Sequence, residues 1–264
     1  NGAQLNSKEE PAWSGIEMKD STKAFIQRVA EWVKDEESKL PKKHLISVDI
    51  TNEGHVVKQT DLETCYKDLD ILNVHYDNAA RSLDMNYSRT NKIFSFNETG
   101  LTKDKMDPIY RTAGWYYLMS GGGLYGNLDY TFYHNGYENG TFNPQFPGWY
   151  IGSGDTLVKY QLAILQKYMD ALPLEKMFSD TVSCLTSGAR VISWPANCYS
   201  AFFKGDGDIV PEFNLPAGRY KAEWVNILTG KYENMEEFEH KGGTKTFKEY
   251  SRSGGGAALK IQKN

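Results

Sequence analysis

Lys92-Ile93-Phe94-Ser95-Phe96-Asn97-Glu98-Thr99-Gly100 is a short apolar run that closes on polar residues and a glycine. Its β-branched and aromatic residues predict a buried strand, and the Gly marks its end. Side chains alternate along a strand, so Phe94, Phe96 and Glu98 are expected to share one face. In a parallel α/β sheet or barrel, chemistry sits at the carboxyl ends of the strands, just before the loops. Glu98 holds such a position, flanked by Asn97 and Thr99, and reads as a catalytic carboxylate. Taken alone, a strand-end acid that caps a helix or meets water is an equal reading.

The neighbouring segments favour the first reading. Residues 70–76 (Asp-Ile-Leu-Asn-Val-His-Tyr) read as another strand, ending in His75-Tyr76, and residues 43–50 as one before it. Phe25, Ile26, Val29, Trp32 and Val33 recur at helical spacing, so a helix is expected from Asp20-Ser21, capped by Ser or Asp, to just before Pro41. Residues 61–68 suggest a short helix. Downstream, a helix runs from Asp107-Pro108 through Trp115 to Met119, with Pro in its first turn, until Gly121-Gly122-Gly123 breaks it. That triple Gly follows a helix instead of a strand, so it is not a phosphate loop. Residues 124–133 look like a fourth strand, and Leu157, Tyr160, Gln161, Ile164, Leu165 and Tyr168 mark a last helix stopping at Pro173. A helix followed by four strand–helix repeats is the pattern of parallel βα units. Asn52-Glu53 and Asp129 are weaker strand-end candidates.

Beyond Met177 the period changes from helical to alternating. Short segments at 190–194, 199–204, 209–215, 219–227, 244–250 and 257–262 are separated by Gly- and Asp-rich turns such as Gly205-Asp206-Gly207-Asp208. Regular short strands of this kind predict a β-sandwich. The expected organisation is therefore an α/β domain over 1–175 and an all-β sandwich over 176–264.

Composition excludes several function classes. At 264 residues the chain suits one large or two ordinary domains, and its net charge of -4 leaves no basic stripe for phosphates, so no nucleic-acid partner is expected. No apolar run approaches the roughly 20 residues of a membrane span, and the first residues lack a signal-peptide pattern. The chain opens on Asn1, which leaves room for an upstream segment. Cys65, Cys184 and Cys198 form no CxxC pair; a Cys184–Cys198 disulfide fits the sequence distance, but buried free thiols are the expectation. With five scattered His residues, neither a metal site nor a cofactor is expected. The 17 Tyr, 12 Phe and 6 Trp suit stacking on sugar rings as well as core filling, and core filling accounts for most of them.

Taken together, these residues resemble the second half of a retaining (β/α)8-barrel glycoside hydrolase of the clan that uses two glutamates. The resemblance rests on His75-Tyr76 ending one strand, on Phe96-Asn97-Glu98-Thr99-Gly100 ending the next, and on Tyr110-Arg111-Thr112-Ala113-Gly114-Trp115 leading through the triple Gly to Leu128-Asp129-Tyr130-Thr131-Phe132. Gly136-Tyr137-Glu138-Asn139-Gly140-Thr141 belongs to it as well. Leu215-Pro216-Ala217-Gly218-Arg219-Tyr220, Glu223-Trp224 and Leu228-Thr229-Gly230-Lys231 are similar to a C-terminal β-sandwich often attached to such barrels and named for collagen binding. Here that label is only a name.

The resemblance implies a partial (β/α)8 (TIM) barrel of about four βα units followed by the sandwich, acting on a poly- or oligosaccharide. Glu98 would be the nucleophile, and His75, Tyr76 and Asn97 would line the subsite. Asp129 would face the barrel mouth or serve as a structural hydrogen-bonding group. Glu138 would bind sugar hydroxyls from its aromatic loop. Trp149 would stack on a ring or, the favoured reading, pack against the last helix. In such enzymes the acid/base Glu ends the fourth strand as Asn-Glu, and the four strands here count as the fifth to eighth. The missing barrel half, or a second copy, is then expected to cover the open sheet edges. Glu53 is the other in-chain acid, with a surface-loop role favoured. Enzymes of this resemblance are usually exported, to the periplasm, cell surface or medium. The competing class is a non-catalytic carbohydrate-binding or structural protein that keeps the cleft. Ser-His-Asp chemistry lacks its G-x-S-x-G elbow.

Overall fold

The computed structural model describes residues 19–50, 59–75, 90–98, 106–126, 137–138, 141–142 and 156–264. The chain divides into two compact units: residues 1–101 with 122–128, and residues 102–121 with 129–264.

Unit 1 is built on a parallel sheet in the order β1-β2-β3-β4, from Ser47–Asp49, Ile71–His75, Ile93–Glu98 and Leu124–Tyr125. The parallel βα reading thus holds for the described strands. Helix α1 spans Asp20–Ser38 as the 3.6-residue spacing dictates, burying Ala30 and leaving Phe25 and Trp32 exposed. The expected Ser or Asp cap is absent, since the N-cap is Lys19 and no side chain caps the helix. Helix α2 (Gln59–Glu63) is tied to α1 by Lys23, whose ammonium lies 2.8 Å from Oδ1 of the buried Asp61. Register puts Leu72 beside Phe94 and Val74 beside Phe96, and all four are buried. The other row is more polar: Asp49 pairs with Asn73 and Asn73 with Ser95.

Unit 2 contains α3 (Met106–Leu118) and α4 (Thr156–Asp170), both where the apolar spacing predicts them, and a two-residue hairpin of β5 (Tyr137–Glu138) and β6 (Thr141–Phe142). Eight further strands follow: β7 (Phe178–Ser179), β8 (Ala189–Trp194), β9 (Cys198–Lys204), β10 (Gly207–Ile209), β11 (Glu212–Asn226), β12 (Tyr232–Thr246), β13 (Tyr250–Arg252) and β14 (Gly256–Lys263). Six form an antiparallel sheet in the order β12-β11-β14-β9-β8-β7, and β10 and β13 form a separate ribbon. Three of the expected short strands appear nearly as drawn. Residues 209–215 and 219–227 do not separate, however; most of both merges into the 15-residue β11, and β12 runs through 232–241, where no strand was expected.

Both faces of the six-stranded sheet are filled. On one, Phe202, Ile192, Val225 and Ala258 pack with Trp115 and Met119 at the α3 end and with Leu165, Tyr168 and Met169 of α4. Trp115 stacks against Phe202 at a centroid distance of 6.0 Å. On the other, Ala201, Phe203, Trp224 and Leu259 pack with Phe213, Leu215, Phe247 and Tyr250, and Trp224 stacks on Tyr250 at 4.1 Å. None of the three cysteines is in a disulfide, so the Cys184–Cys198 bridge is not formed.

Arg111 of α3 is only 4% exposed. Its Nε and Nη2 donate to the Gly254 carbonyl at 3.0 and 2.6 Å, and Nη1 donates to Oε1 of Gln161 on α4 at 2.5 Å. One guanidinium therefore joins both helices to the turn between β13 and β14.

Asp180 anchors the turn after β7. Its carboxylate accepts from the Val182 and Ser183 N–H groups at 3.0 and 2.8 Å and from the Ser193 hydroxyl at 2.6 Å. Burial alone would raise its pKa, but the Ser183, Ser193 and Val182 hydrogen bonds outweigh that and hold it below the usual carboxylate value. A depressed folded pKa gives stability that is present above the unfolded pKa and is lost as pH falls through the folded one. Asp180→Ala is expected to cost about 1–2 kcal/mol at pH 7, a low figure because the carboxylate is only half-buried. Urea melts of variant and wild type should converge only at pH below the ordinary carboxylate range, as the wild-type carboxylate takes up its proton.

Candidate functional site

A parallel sheet with no strand reversals gathers all its carboxyl ends at one edge, where strands stop and loops begin. In unit 1 that edge is formed by Asp49 on β1, Asn73 and His75 on β2, Asn97 and Glu98 on β3, and Gly126 after β4. Asn73 Nδ2 donates to Asp49 Oδ1 at 2.9 Å, and the Ile50 N–H donates to the Asn73 carbonyl at 2.8 Å. This bonded amide–carboxylate pair at the rim is absent from the sequence reading, which treated Asp49 and Asn73 as ordinary strand residues. Their shared register is the only signal that could have exposed them, and it exists only once β1 and β2 are aligned.

The register of β2 against β3 is decisive for Glu98. Val74 pairs with Phe96, but the next pair is His75 with Glu98, so Asn97 is an extra residue on β3. Such a bulge re-phases the alternation that follows it. The simple residue count that links Phe94, Phe96 and Glu98 is therefore interrupted at Asn97 in the backbone register. By backbone pairing, Glu98 falls opposite His75, two residues beyond Asn73. Asn97 itself is exposed.

Gly126 supports this bulge. Its N–H donates to the Phe96 carbonyl at 2.8 Å, and a Cβ built on it would lie 3.3 Å from the Asn97 carbonyl oxygen. A side chain there would crowd the extra residue. Within the sheet, Ser95 is 1% exposed and its hydroxyl has no hydrogen-bond partner among the described residues. Phe96 meets Tyr125 edge-on at 5.8 Å on the other row.

The remaining predicted residues fall elsewhere. Glu138 lies on β5, in unit 2, and is placed only by its backbone pairing with Thr141. Tyr76, Asp129, Trp149 and Glu53 lie outside the described residues. Among the described residues, no cluster of His, Cys, Asp or Glu could hold a metal ion, and no helix is long and apolar enough to cross a membrane.

No protein-family model and no curated protein matches the sequence. Solved structures do. A glycoside hydrolase of family 5 from Bacteroides vulgatus ATCC 8482 superposes with a TM-score of 0.62 at 14% identity, covering 96% of this chain and 68% of its own. A second structure, described as a glycoside hydrolase, gives 0.54 at 14% identity, over 96% of this chain and 71% of its own. The fold is glycoside-hydrolase-like. Within that glycoside-hydrolase-like fold, a parallel sheet and an antiparallel β-region follow one another in a single mixed α/β chain, as expected from the change of period near residue 177.

Proposed function

We propose that this chain is the carboxyl-terminal part of a retaining glycoside hydrolase, with residues 1–175 supplying the latter half of a (β/α)8 barrel and residues 176–264 a β-sandwich. Glu98 is the nucleophile. His75, Tyr76 and Asn97 line the subsite around it, and Asp129, Glu138 and Trp149 are further sugar-binding candidates. The observation that carries this reading is the one-residue slip at Asn97, which puts Glu98 beside His75 at the carboxyl edge of a parallel sheet.

Retention needs a second carboxyl group about 5–5.5 Å from the nucleophile, to protonate the leaving oxygen and then activate water. We assign that group to a strand outside the four described, because a parallel barrel closes with eight. The covering half is either another part of the same gene product or a second copy of the chain. The substrate is a poly- or oligosaccharide, and export to the cell surface or medium suits such a substrate.

The test is a screen of the full-length gene product against polysaccharides, with the anomeric configuration of the first product followed by proton NMR. Sugar released with its starting configuration is the expected result. Inversion would remove Glu98 from the nucleophile role, and no release from any polysaccharide would favour a non-catalytic sugar-binding protein.

A further inference from the structure

A groove of about 360 Å³ lies wholly within unit 2, between α4 and the turn that joins β11 to β12. Its floor is apolar, from Ala163, Ile164, Ala171 and Val225. Three tyrosines also line it: Tyr168 is buried, while Tyr160 and Tyr232 are 55% and 47% exposed. Neither exposed ring is loose. Tyr160 donates its hydroxyl to the Thr229 carbonyl at 3.4 Å, and Lys260 Nζ, which lies 3.6 Å from Glu223 Oε2, is 5.3 Å from the Tyr232 ring centroid.

The turn that closes the groove is built to pack there. Asn226 Oδ1 accepts from the Leu228 and Thr229 N–H groups at 3.0 and 3.2 Å, and Gly230 takes a φ of +70° that favours glycine. A Cβ on Gly230 would lie 3.2 Å from Ile164 Cγ1, so glycine also lets the turn approach the helix.

We propose that this groove is a carbohydrate-binding site, separate from the strand-end site, that takes a short run of a hydroxyl-rich saccharide. A pyranose has one apolar C–H face and a girdle of hydroxyls. Exposed tyrosine rings offer the first a stacking surface, while their hydroxyls bond to the second. The Thr229 hydroxyl, which accepts from the Lys231 N–H at 3.3 Å, and the Lys167 ammonium add donors at the rim. An apolar floor with a few polar groups at its margin is the usual composition of a small-ligand site. Among the described lining residues, Lys167 is the one charged side chain, and its charge suits a neutral or acidic sugar. A buried apolar peptide side chain would leave these margin donors unpaired.

Affinity electrophoresis of the full chain, through gels holding mixed-linkage β-glucan, xylan, galactomannan or pectin, tests this directly. Running it in the Glu98→Gln background prevents cleavage of the gel. At least one polysaccharide should retard the protein. Tyr160→Ala and Tyr232→Ala should each weaken retention about tenfold, and Tyr160→Phe and Tyr232→Phe should keep most of it. The Phe variants preserve the packing, so a folding defect in the Ala variants does not decide the result. Cleavage of a small aryl glycoside should be unchanged by either tyrosine substitution in the Glu98 protein. This separates the groove from the proposed active site, because retention can persist where cleavage is absent. No retardation in any gel, retardation untouched by the double Tyr→Ala variant, or binding of an apolar peptide without any polysaccharide would each overturn the assignment.

Discussion

Glu98→Gln in the full-length protein is expected to lower the rate of glycoside cleavage roughly 10⁴-fold or more, the scale seen when an enzyme loses its nucleophile. Sugar affinity should remain, because the amide fills the same space and still hydrogen-bonds hydroxyls while being unable to attack the anomeric carbon. The measurement is kcat and KM on the best polysaccharide from the screen. A fall in kcat at nearly constant KM is the expected pattern, and turnover at the wild-type rate would take Glu98 out of the mechanism. The effect is expected to be this large because Asn97 is an extra residue on β3, which brings the next residue opposite His75.

The largest expected loss of stability is at Arg111. Arg111→Met should destabilise unit 2 by about 3–5 kcal/mol. The guanidinium is replaced by an apolar group, leaving the Gly254 carbonyl and the amide of Gln161, itself 2% exposed, without their donors. Each stranded buried group costs about 1–3 kcal/mol. Arg111→Lys should be only a partial rescue, since a single ammonium cannot reproduce a planar fork that reaches two acceptors in different directions. Denaturant midpoints with an unchanged m-value provide the readout. A shift smaller than about 0.5 kcal/mol would mean that water replaces the lost donors.

The strands and helices that show an apolar period were legible in the sequence. β2 and β3 announced themselves through Leu72, Val74, Phe94 and Phe96, and α3 and α4 through repeats that end in Trp115 and Tyr168. β12 was not legible. It lies at the edge of its sheet and carries Glu233, Glu236, Glu237 and Glu239, so neither face gives a continuous apolar signal. Pro216 and Gly218 looked like breakers inside β11. The strand runs through them because β14 pairs only with Tyr220 to Asn226, leaving the Pro216 stretch paired on one side alone.

At the candidate site, the strand was readable and its backbone register was not. Counting alternate residues assumes that every residue advances the strand equally, and nothing in Phe96-Asn97-Glu98 announces an extra one. The partner strand shows it, with Gly126 close against Asn97. The Arg111 bridge was hidden for a similar reason. A charged residue on a helix reads as a solvated one until a turn 143 residues away closes over it.

The doubly filled six-stranded sheet also limits how unit 2 can change over evolutionary time. Neither odd nor even positions of β9 or β14 are idle, so an ordinary polar substitution on either strand has nowhere to point except into apolar packing. Sequence drift, insertions and fused tags are left to the hairpin around Gly205–Gly207 and to the charged rim strand. Two descendants of this chain should therefore differ in outline and surface charge long before they differ in the residues between their two layers of rings.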